Sequence, residues 1–376
     1  MKRARSAAMQ VKYLELPKQF KDERLWAVVR KQLALAHFVG GAEIETFEKN
    51  LAALCGTSRA LGLNSGTDAL FLGLVALGIG RGDEAITVPN SFIATAGAIV
   101  AAGAKPVFVD VGPDYNIAVS RIEPAITRRT KAIIPVHLTG NPADMPAIMR
   151  IARKHKLAVL EDAAQAIAAT IGGQAVGSFG DIGCFSLHPL KNLNVAGDGG
   201  AVTTNSEALY ARIKGLRNHG LRNRDEADFY GYNSRLDSIH AAIANYGLEK
   251  LEKVTQKRIQ HAALYDSLLA QLNGHVTVPP RRANVRQVYH TYIVQAKDRE
   301  KLMAFLARKG IETKIHYPIP LHLQRPAAEL GYRMGDFPVC EAQSRRILTL
   351  PVHQYLTDKQ IRYVADAMKS FYEARR

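Results

Sequence analysis

Short continuous apolar runs alternate along this chain with longer stretches in which apolar residues recur at helical spacing. The first pattern reads as buried strands and the second as amphipathic helices. Residues 1–22 are polar with weak periodicity and read as an N-terminal arm. Leu25–Leu33 has helical spacing, Val39–Gly41 makes a turn, and Ala42–Leu54 is an amphipathic helix closed by Gly56. Strands are then predicted at Arg59–Leu63, Glu84–Pro89, Pro106–Asp110, Thr130–His137 and Leu157–Asp162. Between them stand helices beginning at Ser65 and spanning Phe92–Ala102, Ile122–Ile126 and Ala143–His155. Another apolar run ends at Ser186, a tight turn carries Lys191, and a glycine cluster leads to a strand at Ala201–Asn205. A lysine placed in such a turn is expected to be exposed at its rim. A helix over Ser206–Arg217 and an aromatic, polar loop at Phe229–Arg235 follow. A long helix then runs from Ser238 to about Leu272, where Asn273 and Gly274 stop it.

Apolar strands alternating with helices imply an α/β fold, with a mostly parallel central sheet covered by helices on both faces. After the long helix the composition shifts, and short strands and helices (His290–Val294, Glu300–Arg308, Leu356–Tyr372) suggest a smaller C-terminal α/β domain. The expected division is an arm at 1–22, a large domain at 23–250 and a small one at 251–376. Ligands of such sheets sit at the carboxyl ends of the strands. Ser65, Gly66 and Asp162 fall at such ends, with Ser91 and Phe92 just beyond theirs.

The 376 residues are 47% hydrophobic and 22% charged, an ordinary globular balance. No continuous apolar segment follows the basic Met1–Arg5, so no signal peptide is expected. The uncharged stretch Phe92–Ala104 is too short to span a bilayer, and no membrane span is expected. Three cysteines, Cys55, Cys184 and Cys340, are widely spaced and point to a reducing cytoplasm, with no metal site. The formal charge of +16 suits an anionic substrate or a merely solvated surface. No helix-turn-helix, zinc-finger or single-strand-binding pattern accompanies it, so no nucleic-acid partner is expected.

Several residues have two readings. Lys191 is a surface lysine or an amine that condenses with a carbonyl. Ser65, Gly66 and Thr67, at the start of a helix after a strand, form a plain cap or a phosphate site built on free amides and the helix dipole. Asp162 is a strand-end residue or a buried carboxylate that would hold a pyridinium nitrogen. Gln165 caps a turn or meets a phenolic oxygen, and Phe92 is a core ring or a stacking one. Taken together, these are the parts an aldehyde cofactor with a phosphate tail requires.

In one order along the chain stand Val39–Glu48, Asn64–Leu70, Ser91–Thr95, Pro135–Gly140, Glu161–Gln165, Gly177–Ser186, Lys191–Gly200, Gly231–Arg235 and His316–Pro318. With these motifs the chain resembles the DegT/DnrJ/EryC1/StrS family of sugar aminotransferases, fold-type I enzymes that use pyridoxal phosphate. The resemblance runs from about Phe38 to Tyr372. It implies that Lys191 holds the cofactor covalently, that Asp162 partners the ring nitrogen and that Gln165 lies near the phenolic oxygen. It implies a phosphate cup of Gly66, Thr67 and Ser186, and a stacking Phe92. Asn233 would reach the phosphate of a neighbouring subunit, which implies a homodimer with shared active sites. His188, Arg235, His316 and Tyr317 are candidates for the substrate. After Gln165 the chain reads Ala166–Ala168, where many members carry His or a small residue and then Gly.

The activity implied is transfer of an amino group from an amino acid, glutamate, to a nucleotide-linked keto or aldehyde sugar. Pyridoxamine phosphate is the form the cofactor takes between the two halves. The product is an amino sugar for a surface polysaccharide, lipopolysaccharide or secondary metabolite. Alternatives are a pyridoxal-phosphate-dependent sugar dehydratase or epimerase, or an aminotransferase acting on a sugar acid of the octulosonate type. A sensor that kept the fold and lost turnover is a further rival. A lysine at 191, where the dehydratases carry histidine, favours amino transfer.

Overall fold

Residues 9–375 are described by a computed structural model of the protein. The chain opens with α1 (Leu16–Gln19), α2 (Glu23–Leu35) and α3 (Ala42–Cys55). It continues with β1 (Arg59–Leu63), α4 (Gly66–Ala76), β2 (Glu84–Thr87), α5 (Ile93–Ala101), β3 (Lys105–Phe108), β4 (Thr130–Ile133), α6 (Met145–His155) and β5 (Ala158–Asp162). A hairpin of β6 (Thr170–Ile171) and β7 (Gln174–Ala175) precedes β8 (Ile182–Ser186), β9 (Gly200–Thr204), α7 (Glu207–Leu216) and the long α8 (Ser238–Leu269). Last come β10 (Val276–Thr277), β11 (Val285–Arg286), β12 (Tyr292–Ala296), α9 (Arg299–Arg308), α10 (Pro338–Ser344), β13 (Ile347–Leu350) and α11 (Asp358–Glu373).

The main sheet has the order β1-β9-β8-β5-β4-β2-β3. Four of its pairings are parallel, and β9 runs antiparallel to both of its neighbours. Residues 187–199 contain no crossover helix, so the chain leaving β8 returns beside it in the opposite direction. The strands are almost wholly buried, as expected of a sheet covered on both faces. Close packing of α4 on β5 depends on Gly73, where a Cβ would stand 2.7 Å from Leu160 Cδ1. Asp144 caps α6 by accepting from Ala147 N at 3.2 Å, and Thr357 with Gln360 forms a capping box on α11.

A second sheet, β10-β12-β13, packs with α9, α11 and the far end of α8 around its own core of Tyr265, Tyr292, Leu302, Leu348 and Met368. Of residues 1–22, the first eight lie outside the described residues. The rest is no free arm. Val11 is fully buried in this second core, where its N–H donates to Gly310 O at 2.9 Å and its carbonyl accepts from Glu312 N at 2.9 Å. The helix expected over Ile122–Ile126 is instead a pair of 3-10 turns, Val119–Arg121 and Glu123–Ala125. Pro124, which lacks an N–H, denies a longer ladder its bond. No helix among the described residues is long and apolar enough to cross a membrane.

Candidate active site

The carboxyl end of β5 places Asp162 in the interior, 5% exposed. Its Oδ2 accepts from Thr95 Oγ1 at 2.7 Å and its Oδ1 from Ala164 N at 3.2 Å. A carboxylate only accepts, so the Thr95 hydroxyl points at it, and Ser91 Oγ, 2.6 Å from Thr95 Oγ1, donates in turn. Burial pushes the Asp162 carboxyl above its usual range, against these hydrogen bonds and the nearby charge of Lys191. The next carboxylate back, Glu161, faces the other way. It is fully buried and accepts from Gly177, Phe179 and Gly180 amides at 2.8–2.9 Å. His137 Nδ1 accepts from Ala143 N at 3.0 Å, so its Nε2 carries the proton and donates to Glu161 at 3.0 Å.

Lys191 stands in the loop after β8 and is half-buried, deeper than the rim position expected of it. Segments distant in sequence close over it, as His290 and His316 both feel its charge. The loop is clamped by Leu187 N to Gly199 O at 2.8 Å and Val195 N to Leu187 O at 2.9 Å. Asn194 Nδ2 donates to Lys191 O at 2.9 Å, and the side-chain amides of Asn194 and Gln19 exchange hydrogen bonds at 2.8 and 3.2 Å. Withdrawal from water lowers the Lys191 pKa to about 8, while the Asp162 carboxylate pulls it upward. Only the neutral amine attacks a carbonyl. In the cofactor-free protein, capture of added pyridoxal phosphate is therefore expected to quicken from pH 7, with a midpoint at about 8, and to level off above it. Stopped-flow absorbance checks this; a rate still climbing at pH 10 would mean an ordinary, solvated lysine.

The head of α4 forms a cradle. Ser65 caps it, its Oγ accepting from Asp68 N at 3.0 Å, and the amides of Gly66 and Thr67 meet no acceptor among the described residues. A Cβ on Gly66 would lie 2.7 Å from Ser186 Cβ, and one on Gly200 would lie 2.2 Å from the Ser65 carbonyl carbon. The two glycines thus bring β8, β9 and α4 close enough for open amides and the Ser186 hydroxyl to face one point. Orphan amides at a helix N-terminus favour phosphate.

Phe92, the N-cap of α5, is 54% exposed, and its ring lies 5.8 Å from that of Tyr317. Gln165 Oε1 accepts from Thr139 N at 2.8 Å, and its Nε2 lies 3.5 Å from the Tyr317 hydroxyl. Burial, reinforced by Asp162, pushes the Tyr317 hydroxyl up to about 12. Burial, reinforced by Lys191, pulls His316 down to about 4. The His316 ring stacks on Tyr13 at 5.8 Å, and its Nδ1 lies 3.0 Å from Thr349 Oγ1. Ala168 adopts a left-handed φ of 66°.

Lys191, Asp162, Gln165, Phe92, Tyr317 and His316 are thus brought together, with Gly66, Thr67 and Ser186 as the cradle. Three predicted residues lie at the margin of this group, and the charge of one, His188, reaches the buried His290 beside Lys191. His188 is exposed, with its Nδ1 accepting from Leu190 N at 3.3 Å. Asn233 is exposed, and Arg235 donates to Asn218 Oδ1 at 3.0 Å. Their loop is fastened to α4 by Ser234 Oγ donating to Asp68 at 2.7 Å. Sequence reasoning missed Thr95, although it lay within the motif Ser91–Thr95, one helical turn from Phe92. It also missed Tyr13, which no local pattern marks. Among the described residues, no cluster of His, Cys, Asp or Glu is placed to hold a metal ion.

These groups fit pyridoxal phosphate: a cradle with open amides, a buried carboxylate short of a cation, a nucleophilic amine and an uncovered aromatic ring. The comparisons agree. The sequence profile of the DegT/DnrJ/EryC1/StrS aminotransferase family matches residues 19–369. A pleiotropic regulatory protein of Geobacillus stearothermophilus is 41% identical over 97% of this chain and 99% of its own length. A UDP-N-acetyl-3-dehydro-alpha-D-glucosamine 3-aminotransferase of Acidithiobacillus ferrooxidans is 44% identical over 93% of this chain and 94% of its own. The crystal structure of Streptomyces venezuelae DesV with a ketimine intermediate matches with a TM-score of 0.93 and 39% identity, covering 96% of this chain and 98% of that one. The family depends on pyridoxal phosphate, and solved members hold it or pyridoxamine phosphate. The chain, matched nearly end to end by sequence and by fold, belongs to the DegT/DnrJ/EryC1/StrS aminotransferase family.

Proposed function

We propose that this protein transfers the amino group of glutamate to a keto or aldehyde sugar carried on a nucleotide, making an amino sugar for a surface polysaccharide, lipopolysaccharide or secondary metabolite. The observation that carries this reading is the Lys191 amine, with its pKa lowered to about 8, beside the buried Asp162 and the α4 cradle. The named activity of the A. ferrooxidans relative supports the substrate class. The intact lysine and carboxylate favour an enzyme over the regulatory role in the name of the G. stearothermophilus relative.

Bound pyridoxal phosphate would supply an electron sink for the pair left on the donor's Cα as its proton departs. Gly66, Thr67 and Ser186 would hold the phosphate, Phe92 would cover the ring face, and Gln165 would meet the phenolic oxygen. Asp162 would keep the ring nitrogen protonated, and that cation would relieve a carboxylate whose burial otherwise raises its pKa. Lys191 Nζ would hold the cofactor and would take the proton from the donor's Cα as general base. His316 and Tyr317 at the mouth of the group would orient the sugar, with His188 and Arg235 at its edge. We assign 23–250 to a cofactor domain and 251–376 to a smaller domain, with α8 crossing between them. The protein would work as a cytoplasmic homodimer in which Asn233 serves the neighbouring subunit's phosphate. Exposed Phe38, Val39, Tyr230 and Tyr232, and three buried free thiols, support that assembly and compartment.

The test is a panel of nucleotide-linked keto sugars incubated with the holoenzyme and glutamate. The expected result is 2-oxoglutarate release together with a product in which NH₂ and H replace the carbonyl oxygen. Loss of water from the sugar without 2-oxoglutarate would establish a dehydratase instead.

A further inference from the structure

A cleft of about 880 Å³ separates the N-terminal helices from α8 and lies behind the loop that carries Lys191. Its walls are notably basic. Lys250, Lys253 and Lys257 recur at the spacing of one helix face on α8. Lys18 and Arg24 face them from the N-terminal segment. Asp22 is the one carboxylate in the lining, and it is shared between Lys250 and Arg24. At the edge, Lys18 has Glu15 at 3.6 Å and Lys257 has Asp358 at 3.5 Å. Lys253 meets no carboxylate among the described residues. Five cations thus face three carboxylates, a surplus of two that gives the cleft a net attraction for an anion. Tyr246 and Tyr355 add flat, hydrogen-bonding walls.

We propose that this cleft binds a phosphate or diphosphate group, at a site separate from the α4 cradle, and that the bound anion steadies the loop of Lys191. A phosphoryl group carries close to two negative charges at neutral pH, which matches the surplus. Such an anion bridges the N-terminal segment to α8. Next to Lys18 in that segment is Gln19, whose amide exchanges hydrogen bonds with Asn194, and Asn194 donates to the carbonyl of Lys191. Drawing the segment down therefore holds the loop in place. The inference rests on the proposed function only in taking that loop as the catalytic one. The anion comes either from solution or from the diphosphate of the substrate itself, and both sources present the same chemistry.

The test uses the holoenzyme, with its own phosphate cradle filled, and inorganic pyrophosphate as the probe in calorimetry. Lys253→Glu with Lys257→Glu reverses two cleft charges at sites with no role in the chemistry. Lys131→Glu with Lys301→Glu makes the same net change at exposed sites outside the cleft. Pyrophosphate is expected to bind the wild type and the control pair alike, and the cleft pair at least about tenfold more weakly. If the KM for the nucleotide-linked sugar rises in step and pyrophosphate competes with that sugar, the substrate supplies the anion. If that KM holds while pyrophosphate alters the glutamate half-reaction of the wild type and the control pair but not of the cleft pair, the anion is free. Equal pyrophosphate affinity in the cleft pair and the wild type overturns the proposal. The glutamate half-reaction, read as 2-oxoglutarate released per chain, separates this failure from a failure of the aminotransferase reading.

Discussion

Lys191→Ala is expected to end transamination, lowering turnover by about 10⁴-fold, the upper range for loss of a positioned proton-transfer group. The effect is large because no neighbour can take over. The two titratable groups closest in kind have been tuned out of range: His316 is pulled down to about 4 and Tyr317 pushed up to about 12. The first is too weak a base for a Cα proton, and the second keeps its own proton at neutral pH. His290, also near Lys191, is held neutral by burial and is likewise a poor base. The cofactor should also lose its covalent hold. After borohydride reduction, mass spectrometry should find the added mass of pyridoxal phosphate on the wild type and none on the variant. Lys191→Arg sharpens the result, because a guanidinium keeps the charge and reach but never becomes neutral. It should be as inactive as the alanine variant. Turnover by either variant within tenfold of the wild type would remove Lys191 from its role.

The framework around Lys191 was readable because its signals are local. Buried strands announce themselves as apolar runs, and α8 ends within a few residues of where Asn273 and Gly274 predict, through a 3-10 turn at Ala270–Leu272. Gly66 and Asp162 stood out by position, at the ends of strands. What stayed hidden depends on contacts between distant parts of the chain. The direction of β9 is not encoded in its hydrophobicity, since a buried strand reads alike either way. The hydroxyl chain to Asp162 joins residues 67 apart, and the clamp of Gln19 on Asn194 joins residues 175 apart. Val11 reaches its core by bridging to Ile311. The burial of Lys191, which the local pattern places at the rim, is hidden for the same reason. That burial comes with segments near 290 and 316 that lie close to the loop, and with it comes the lowered pKa that gives the amine its chemistry.

Asp162→Asn should separate the charge of the site from its shape. The amide is nearly isosteric: its Oδ1 can still accept from Ala164 N, and its Nδ2 can donate to Thr95 Oγ1 with the hydroxyl chain reversed toward Ser91. The negative charge alone is lost. With no carboxylate to hold the ring nitrogen protonated, turnover is expected to fall by about 10²–10³-fold, the range for removing one preorganised charged contact. A second signature lies in the cofactor-free protein. The Asp162 carboxylate raises the pKa of Lys191, so its removal should move the midpoint for capture of pyridoxal phosphate below about 8. The third concerns stability. Burial raises the Asp162 pKa in the folded state, so the cofactor-free wild type loses stability as pH rises through that value, when the unfolded chain gives up its proton more readily. The asparagine variant carries no such proton. Its melting temperature without cofactor should therefore gain on the wild type from pH 4 to pH 7, while added cofactor should stabilise the wild type more, because only its carboxylate gains a cation. Normal turnover with an unshifted midpoint would show that Asp162 serves the packing of β5 against α5 and not the chemistry.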